Sequence, residues 1–276
     1  MNDFKQKCIT LREQDLSLLE IAKITGRPKT SVYFHIRDIP LSSGKLKKVY
    51  ELNLQHLLRV AESRRGKSAR GFRSFDTWDT VKVSLVAHLL FDGEIKRYGC
   101  FYNNRNKTLL KKVERHMREI YAFPPAWYYN QVTGVSRISY FNVALGAYIK
   151  QKANELLSEV QKMPLGVKRS FLQAFFDDEG CMDFRPNVNA RRIRGYQKDT
   201  SILKLISNLL SNFGIESRFQ KPNEVVISGK ENLLKFQKEI NFSPGVYING
   251  NRTNSIWKKH LEKRELLDRA IASFKS

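Results

Sequence analysis

The chain has 276 residues, 41% of them hydrophobic, enough for a packed core in one large domain or two to three small ones. Its 49 Lys+Arg against 27 Asp+Glu leave a net charge of +22, which attracts polyanions: nucleic acid first, an anionic membrane as the alternative. Three isolated cysteines and five scattered histidines exclude a disulfide framework and a zinc site, the polar N-terminus is no secretory signal, and no apolar run reaches the ~20 residues that span a bilayer.

In chain order, residues 16–37 come first, "LSLLEIAKITGRPKTSVYFHIR". Ser17 and Glu20 have capping-box spacing at a helix start. Leu18, Ile21, Ala22 and Ile24 supply an apolar face, and Gly26 allows a turn. A second helix follows, with Pro28 in its first turn and Val32 and Ile36 facing inward. The spacing of Ala22, Gly26 and Val32 resembles a helix-turn-helix DNA-binding unit. That resemblance implies that the second helix enters the major groove, with Lys29, Thr30, Ser31, Tyr33 and Arg37 facing DNA. The other reading is a helical hairpin with a solvated basic face. Residues 41–77 read as a partly helical basic linker between this unit (1–40) and the rest. Arg64, Arg65, Lys67, Arg70 and Arg73 either track phosphates or are simply solvated.

Two similar segments follow, "VAHLLFDGEI" (86–95) and "LQAFFDDEG" (172–180). Superposing Leu90-Phe91-Asp92-Gly93-Glu94 on Phe175-Phe176-Asp177-Asp178-Glu179 aligns their acids. After the first come a β-like run "YGCFYNN", a helical "KTLLKKVERHMREIYAF", two β-like runs and the helical "VALGAYIKQKANELL". The second is followed by the same succession, so each half (78–160 and 161–276) is expected to be αββαββα, an internal duplication. A C-terminal amphipathic helix is expected from Trp257, Leu261, Leu266 and Ile271, packed on the second half with its lysines near DNA.

The paired segments resemble the motifs of the LAGLIDADG homing endonuclease family, in its single-chain, two-motif form. Leu172–Gly180 fills the nine positions of one motif and Ala87–Ile95 those of the other, with Ile95 where glycine is usual. The resemblance implies an α+β fold of two pseudo-symmetric halves, a monomer whose sheets form a saddle on double-stranded DNA. It implies a site-specific DNA endonuclease of intron or intein mobility, using Mg²⁺ or Mn²⁺. The metal ligands carried over are Glu94 and Glu179, with backbone oxygens from Gly93 and Asp178. Asp92 and Asp177 are expected to end their helices in a structural role. Lys230 is the basic residue expected near the scissile phosphate, and otherwise a solvated lysine; Phe141 stands at that register in the first half, with Arg137 nearby. Two divalent metals about 3.5–4 Å apart supply the water activation and charge neutralisation that phosphodiester hydrolysis needs.

Sheet residues are expected to read bases or hold phosphates: Arg185, Arg191, Arg192, Arg194, Tyr196, Gln197, Arg218 and Gln220, with Tyr102, Asn103, Asn104, Arg105, Tyr129, Asn130 and Arg137 in the first half. The alternative function is a DNA-binding regulator on the same scaffold without cleavage, which Ile95 and the missing first-half base favour. A prokaryotic cytoplasm, close to nucleoid DNA, is the expected location.

Overall fold

The computed structural model describes residues 3–64, 70–248, 257 and 261–274. The chain divides into two compact units, 1–69 and 70–276.

The first unit holds α1 (Asp3–Glu13), α2 (Leu18–Thr25), α3 (Lys29–Ile36) and α4 (Ser43–Arg64). The capping box forms as expected: the Ser17 hydroxyl accepts from the Glu20 amide, and the Glu20 carboxylate accepts from the Ser17 amide at 2.7 Å. Gly26 ends α2 at φ 63°, a left-handed conformation that favours glycine, and so makes the turn into α3. Cys8, Ile21, Val32 and Ile36 form the small core of this unit. Ile24, expected on the apolar face, is instead half exposed. Arg65 and Lys67 lie outside the described residues, and of Arg64 only the backbone is described.

The second unit contains α5 (Thr80–Phe91), β1 (Gly93–Lys96), β2 (Gly99–Asn104), α6 (Lys107–Arg118), β3 (Ala126–Asn130), β4 (Val135–Tyr140) and α7 (Val143–Glu159). The order then repeats as α8 (Leu165–Asp178), β5 (Gly180–Arg185), β6 (Ala190–Tyr196), α9 (Thr200–Ser211), β7 (Arg218–Gln220), β8 (Glu224–Ser228) and α10 (Lys230–Glu239), with α11 (Lys263–Ala272) added. Both sheets are antiparallel with equivalent strand orders, β1-β2-β4-β3 and β5-β6-β8-β7. The expected αββαββα duplication is therefore present. One difference is local: "YGCFYNN" holds only the second strand of its hairpin, and the first begins at Gly93. Ahead of α5, Phe75 is buried and its amide donates to the Tyr148 hydroxyl at 2.6 Å, while Arg70 lies over Phe123.

The helices α5 and α8 pack against each other, with α5 buried from Val83 to Leu89 and at Phe91, and α8 mainly over its C-terminal half. The register of the repeat follows from how each one ends. Asp92 is the C-cap of α5 and Glu179 the C-cap of α8. The Asp92 carbonyl accepts from Asn103 N and the Glu179 carbonyl from Tyr196 N, both at 3.2 Å. A glycine follows each cap for a steric reason. A Cβ on Gly93 would lie 2.3 Å from the Leu89 carbonyl oxygen, and one on Gly180 would lie 2.4 Å from that of Phe176. Gly93 is thus the equivalent of Gly180, and the first motif is Leu85–Gly93 rather than Ala87–Ile95. Ile95 does not replace a glycine, and the acid equivalent to Glu179 is Asp92 rather than Glu94. In this register Ala87 and Ala174 share a position, and both are fully buried.

The same register exposes a crossed pairing between the helices. The residue two before each glycine meets the residue five before the other glycine. On one side Phe91 packs edge-on against Phe175, ring centroids 5.1 Å apart. On the other, Asp178 Oδ2 lies 2.8 Å from His88 Nδ1, and both side chains are completely buried. Tyr102 donates its hydroxyl to Asp178 Oδ1 at 2.6 Å. The crossed positions of the helix pair are therefore filled by one apolar and one polar contact. A polar contact so deep is costly to break from one side only. Asp178→Leu should cost about 1–3 kcal/mol in urea unfolding for each neutral partner it strands, His88 and Tyr102. Adding His88→Leu should recover part of that loss, a non-additivity that a double-mutant cycle measures.

Candidate metal and nucleic-acid site

The ends of α5 and α8 bring acids together that lie far apart in sequence. Burial raises the Asp92 carboxyl to about 7, helped by Asp178 and opposed by Lys263 and by the hydrogen bond from Asn104. Burial likewise raises Glu179 to about 7, helped by Asp92 and Asp178 and opposed by Lys263. Asp92 and Glu179 thus each feel the same buried Asp178, and Glu179 feels Asp92 directly. Asn104 Nδ2 holds Asp92 Oδ2 at 2.8 Å and also reaches the Tyr102 oxygen at 3.2 Å. Among the described residues the Glu179 carboxylate has no hydrogen bond or ion pair.

Glu94 is elsewhere. It sits on β1, half-buried, in an ion pair with Lys96 and 3.7 Å from Arg137 Nη2. The bonded Lys96 is the main reason its pKa lies below the usual carboxylate range. The structure therefore does not bring Glu94 to Glu179. Strand alternation explains this: one residue beyond the glycine, the side chain points to the open face of the sheet instead of the helix ends.

The remaining expectations divide. Gly93 is the first residue of β1, paired with Tyr102 in the ladder. Asp178 contributes its side chain, buried between His88 and Tyr102. Asp177, expected to end its helix, lies within the last turn of α8, and Glu179 is the cap. Asp177 is buried, accepts the Ser243 amide at 2.7 Å and lies 3.6 Å from Lys112 Nζ. Lys230 is the exposed first residue of α10, with no bond to either acid among the described residues, so it is not part of this cluster.

Lys263 is a cation that sequence reasoning missed. It is 7% exposed and donates to the carbonyls of Phe176 and Asp177, at 3.1 and 2.6 Å. These are carbonyls of the last turn of α8, where few helical donors remain. Burial pushes the Lys263 ammonium down while Asp177 and Asp178 pull it up. The expected C-terminal helix starts only at Lys263, so Trp257 and Leu261 precede it. Trp257 stacks on Phe184 instead. The helix packs on β5 and α10, in the second half. Among the described residues no group of three or more His, Cys, Asp or Glu could hold a metal. No described helix is long and apolar enough to cross a membrane.

The sheets present an open face away from the helices. In the second half it carries Asp183, Arg185, Arg192, Arg194, Tyr196 and Arg218, while Met182, Ile193, Val225 and Ile227 on the other face are buried. Asp183 accepts from Arg185 Nε at 2.7 Å and Arg192 Nε at 2.8 Å, and Arg194 forks onto Glu224. Burial would raise Asp183, but these guanidiniums hold it below the usual carboxylate range. Arg191 alternates to the other face, where it bonds Ser273 at 2.6 Å and lies over Phe274. Gln197 lies past the end of β6, and its side chain accepts from the Asp199 amide at 3.4 Å. In the first half, Asn103 and Arg137 share the open face, whereas Tyr102, Asn104 and Tyr129 belong to the face toward the helices. Arg105 bonds the Thr133 carbonyl, and Asn130 caps its own turn. In the first unit, Lys29, Thr30, Tyr33 and Arg37 are exposed and Ser31 is half-buried.

The family model described as a LAGLIDADG-like domain matches residues 166–241, within the second half. No curated protein matches the sequence. Similar solved structures include variants of the homing endonuclease I-DmoI: 12% identity, 60% of this chain, 92% of that one, TM-score 0.45. I-DmoI in complex with DNA and Ca is similar over 60% of this chain and 94% of that one, at 12% identity and TM-score 0.42. Full-length DUF199/WhiA from Thermatoga maritima is 14% identical over 74% of this chain and 63% of that one, at TM-score 0.49.

Because Asp92 and Glu179 hold protons in the folded state well above the ~4 of free carboxylates, they stabilise the fold most at low pH. Their contribution is lost as pH rises through about 7. Asp92→Asn should therefore raise the melting temperature relative to wild type, more at pH 8 than at pH 5. Glu94 titrates the other way, and Glu94→Gln should cost at most about 1 kcal/mol near neutral pH, as a partly exposed ion pair. Thermal melts at the two pH values check both.

Proposed function

We propose that the protein is a sequence-specific, divalent-metal-dependent DNA endonuclease, with Asp92 and Glu179 as its metal ligands. The observation that carries the reading is the placement of these two acids, one from each half, at equivalent ends of paired helices. Two carboxylates raised by burial, with Asp92 also raising Glu179, are a donor set suited to a hard divalent cation, which takes its remaining ligands from water and phosphate. When bound, such a cation neutralises charge on the phosphate and lowers the pKa of a bound water. The chain's own residues orient the ligands. Asn104 fixes Asp92, and Lys263 offsets charge at the end of α8. The +22 net charge supplies the attraction for DNA.

The helix pair α2–α3 is read as a helix-turn-helix that enlarges the recognised site. Gly26 makes its turn, and Lys29, Thr30, Tyr33 and Arg37 are free to meet DNA. Mobility of an intron or intein and a monomeric state belong to this reading.

A regulator that binds without cutting is the second reading, and Lys263 favours it. A buried ammonium already neutralises part of the acid cluster, and Lys230 stands outside that cluster. The corrected register removes the other argument for it, because the first motif has its glycine.

Incubation with a randomised duplex library in Mg²⁺ or Ca²⁺, followed by sequencing of cut ends, separates the two. Staggered cutting in Mg²⁺ is expected, abolished in Glu179→Gln and Asp92→Asn and retained in Glu94→Gln. Asn104→Ala should slow cutting about 10–100-fold, as loss of an orienting partner of a ligand does. Tight sequence-specific binding with no cut in either metal would establish the regulator instead. Arg37→Ala should weaken binding and flatten its salt dependence while leaving the cut position unchanged, if α3 contacts phosphate.

A further inference from the structure

The open faces of the two sheets differ in chemistry. In the second half, donors and acceptors alternate. Asp183 lies among Arg185, Arg192 and Arg194, the last with Nη1 at 3.8 Å, and Glu224 holds the far side of Arg194. The two carboxylates are nearly buried, with side chains 10% and 15% exposed, and the guanidiniums lie around them. This is a poor phosphate track. The acids cancel much of the local positive charge, and an arginine that leaves them for a phosphate strands a buried carboxylate. Held in place, each guanidinium still has N–H groups to donate, since it carries five.

An array of fixed donors with acceptors between them matches the edge of a G·C pair. Guanine N7 and O6 accept from arginine, and cytosine N4 donates to a carboxylate. An A·T pair answers it less well, because thymine presents a methyl group.

The first half is built otherwise. Its open face has Arg137, pinned near Glu94 and lying 4.3 Å from the Phe101 ring centroid. Tyr98 and Phe141 pack edge-on against Phe101, each at 5.4 Å. In register with Arg137 stand Asn103 on one side and Tyr128, 62% exposed, on the other. Apolar ring surface suits the thymine methyl, and an asparagine suits adenine.

We infer that the protein reads an asymmetric duplex, with G·C pairs under the second half and A·T pairs under the first. The inference rests on the DNA-binding reading above, and the two fail differently. The experiment is selection of bound sequences from a random duplex library by the full-length protein, in EDTA so that nothing is cut. Wild type should select a motif with one G·C-rich and one A·T-rich side. Arg192→Ala should relax the G·C side by about tenfold at one position and leave the other side unchanged. Arg192→Lys keeps the charge and the fold, so it should lose that preference while retaining overall affinity. Tyr128→Ala should affect only the A·T side. A motif of equal composition on both sides would overturn the inference. So would uniform weakening across all sequences in Arg192→Ala with affinity restored by Arg192→Lys, since that marks a phosphate contact. No enrichment of any duplex would overturn the DNA-binding reading itself.

Discussion

Two carboxylates that cannot both ionise cheaply are held at the meeting point of two helices, and much of the second unit can be understood as what that costs. Asp92 and Glu179 are raised by burial and by each other's neighbourhood. The surroundings offset this from several directions. Asn104 donates to Asp92, Lys263 sits against the last carbonyls of α8, and Tyr102 and His88 bond the third acid, Asp178. A bound cation would complete the same compensation, and the proposed chemistry follows from that requirement.

Much of the architecture was legible in the sequence. Apolar runs ending in acids, each followed by β-like and helical segments, were enough to reveal the duplication and the αββαββα order. The register of the duplication was harder to read. "LLFDGE" has an acid on each side of its glycine, while "FFDDEG" has three acids before one. Counting acids aligned Glu94 with Glu179. The deciding fact is steric, a glycine required where a Cβ would strike the carbonyl of the preceding turn. Sequence carries that signal only if the glycine, and not the acid, is used as the anchor.

Strand alternation places Arg185, Arg192 and Arg194 on one face and Arg191, expected among the DNA-reading residues, on the other. His88, Asn104 and Lys263 were not legible as members of the cluster. Each is remote in sequence from Glu179, and each joins it through tertiary packing alone. His88 could have been suspected, since a histidine in an apolar run needs a partner when buried. Lys263 offered no local signal, because it lies in the first turn of an ordinary charged helix.

The position of Lys263 has a consequence for the order in which the molecule matures. Both acid-bearing helices are synthesised before it. Until the segment after α10 has crossed to α6, through Lys112–Ser243 and the paired bonds of Asn106 with Tyr247, the α8 carbonyls lack their ammonium. Lys112, which precedes α8, already lies 3.6 Å from Asp177, so the strap that carries Lys263 adds the second of two cations facing the acids.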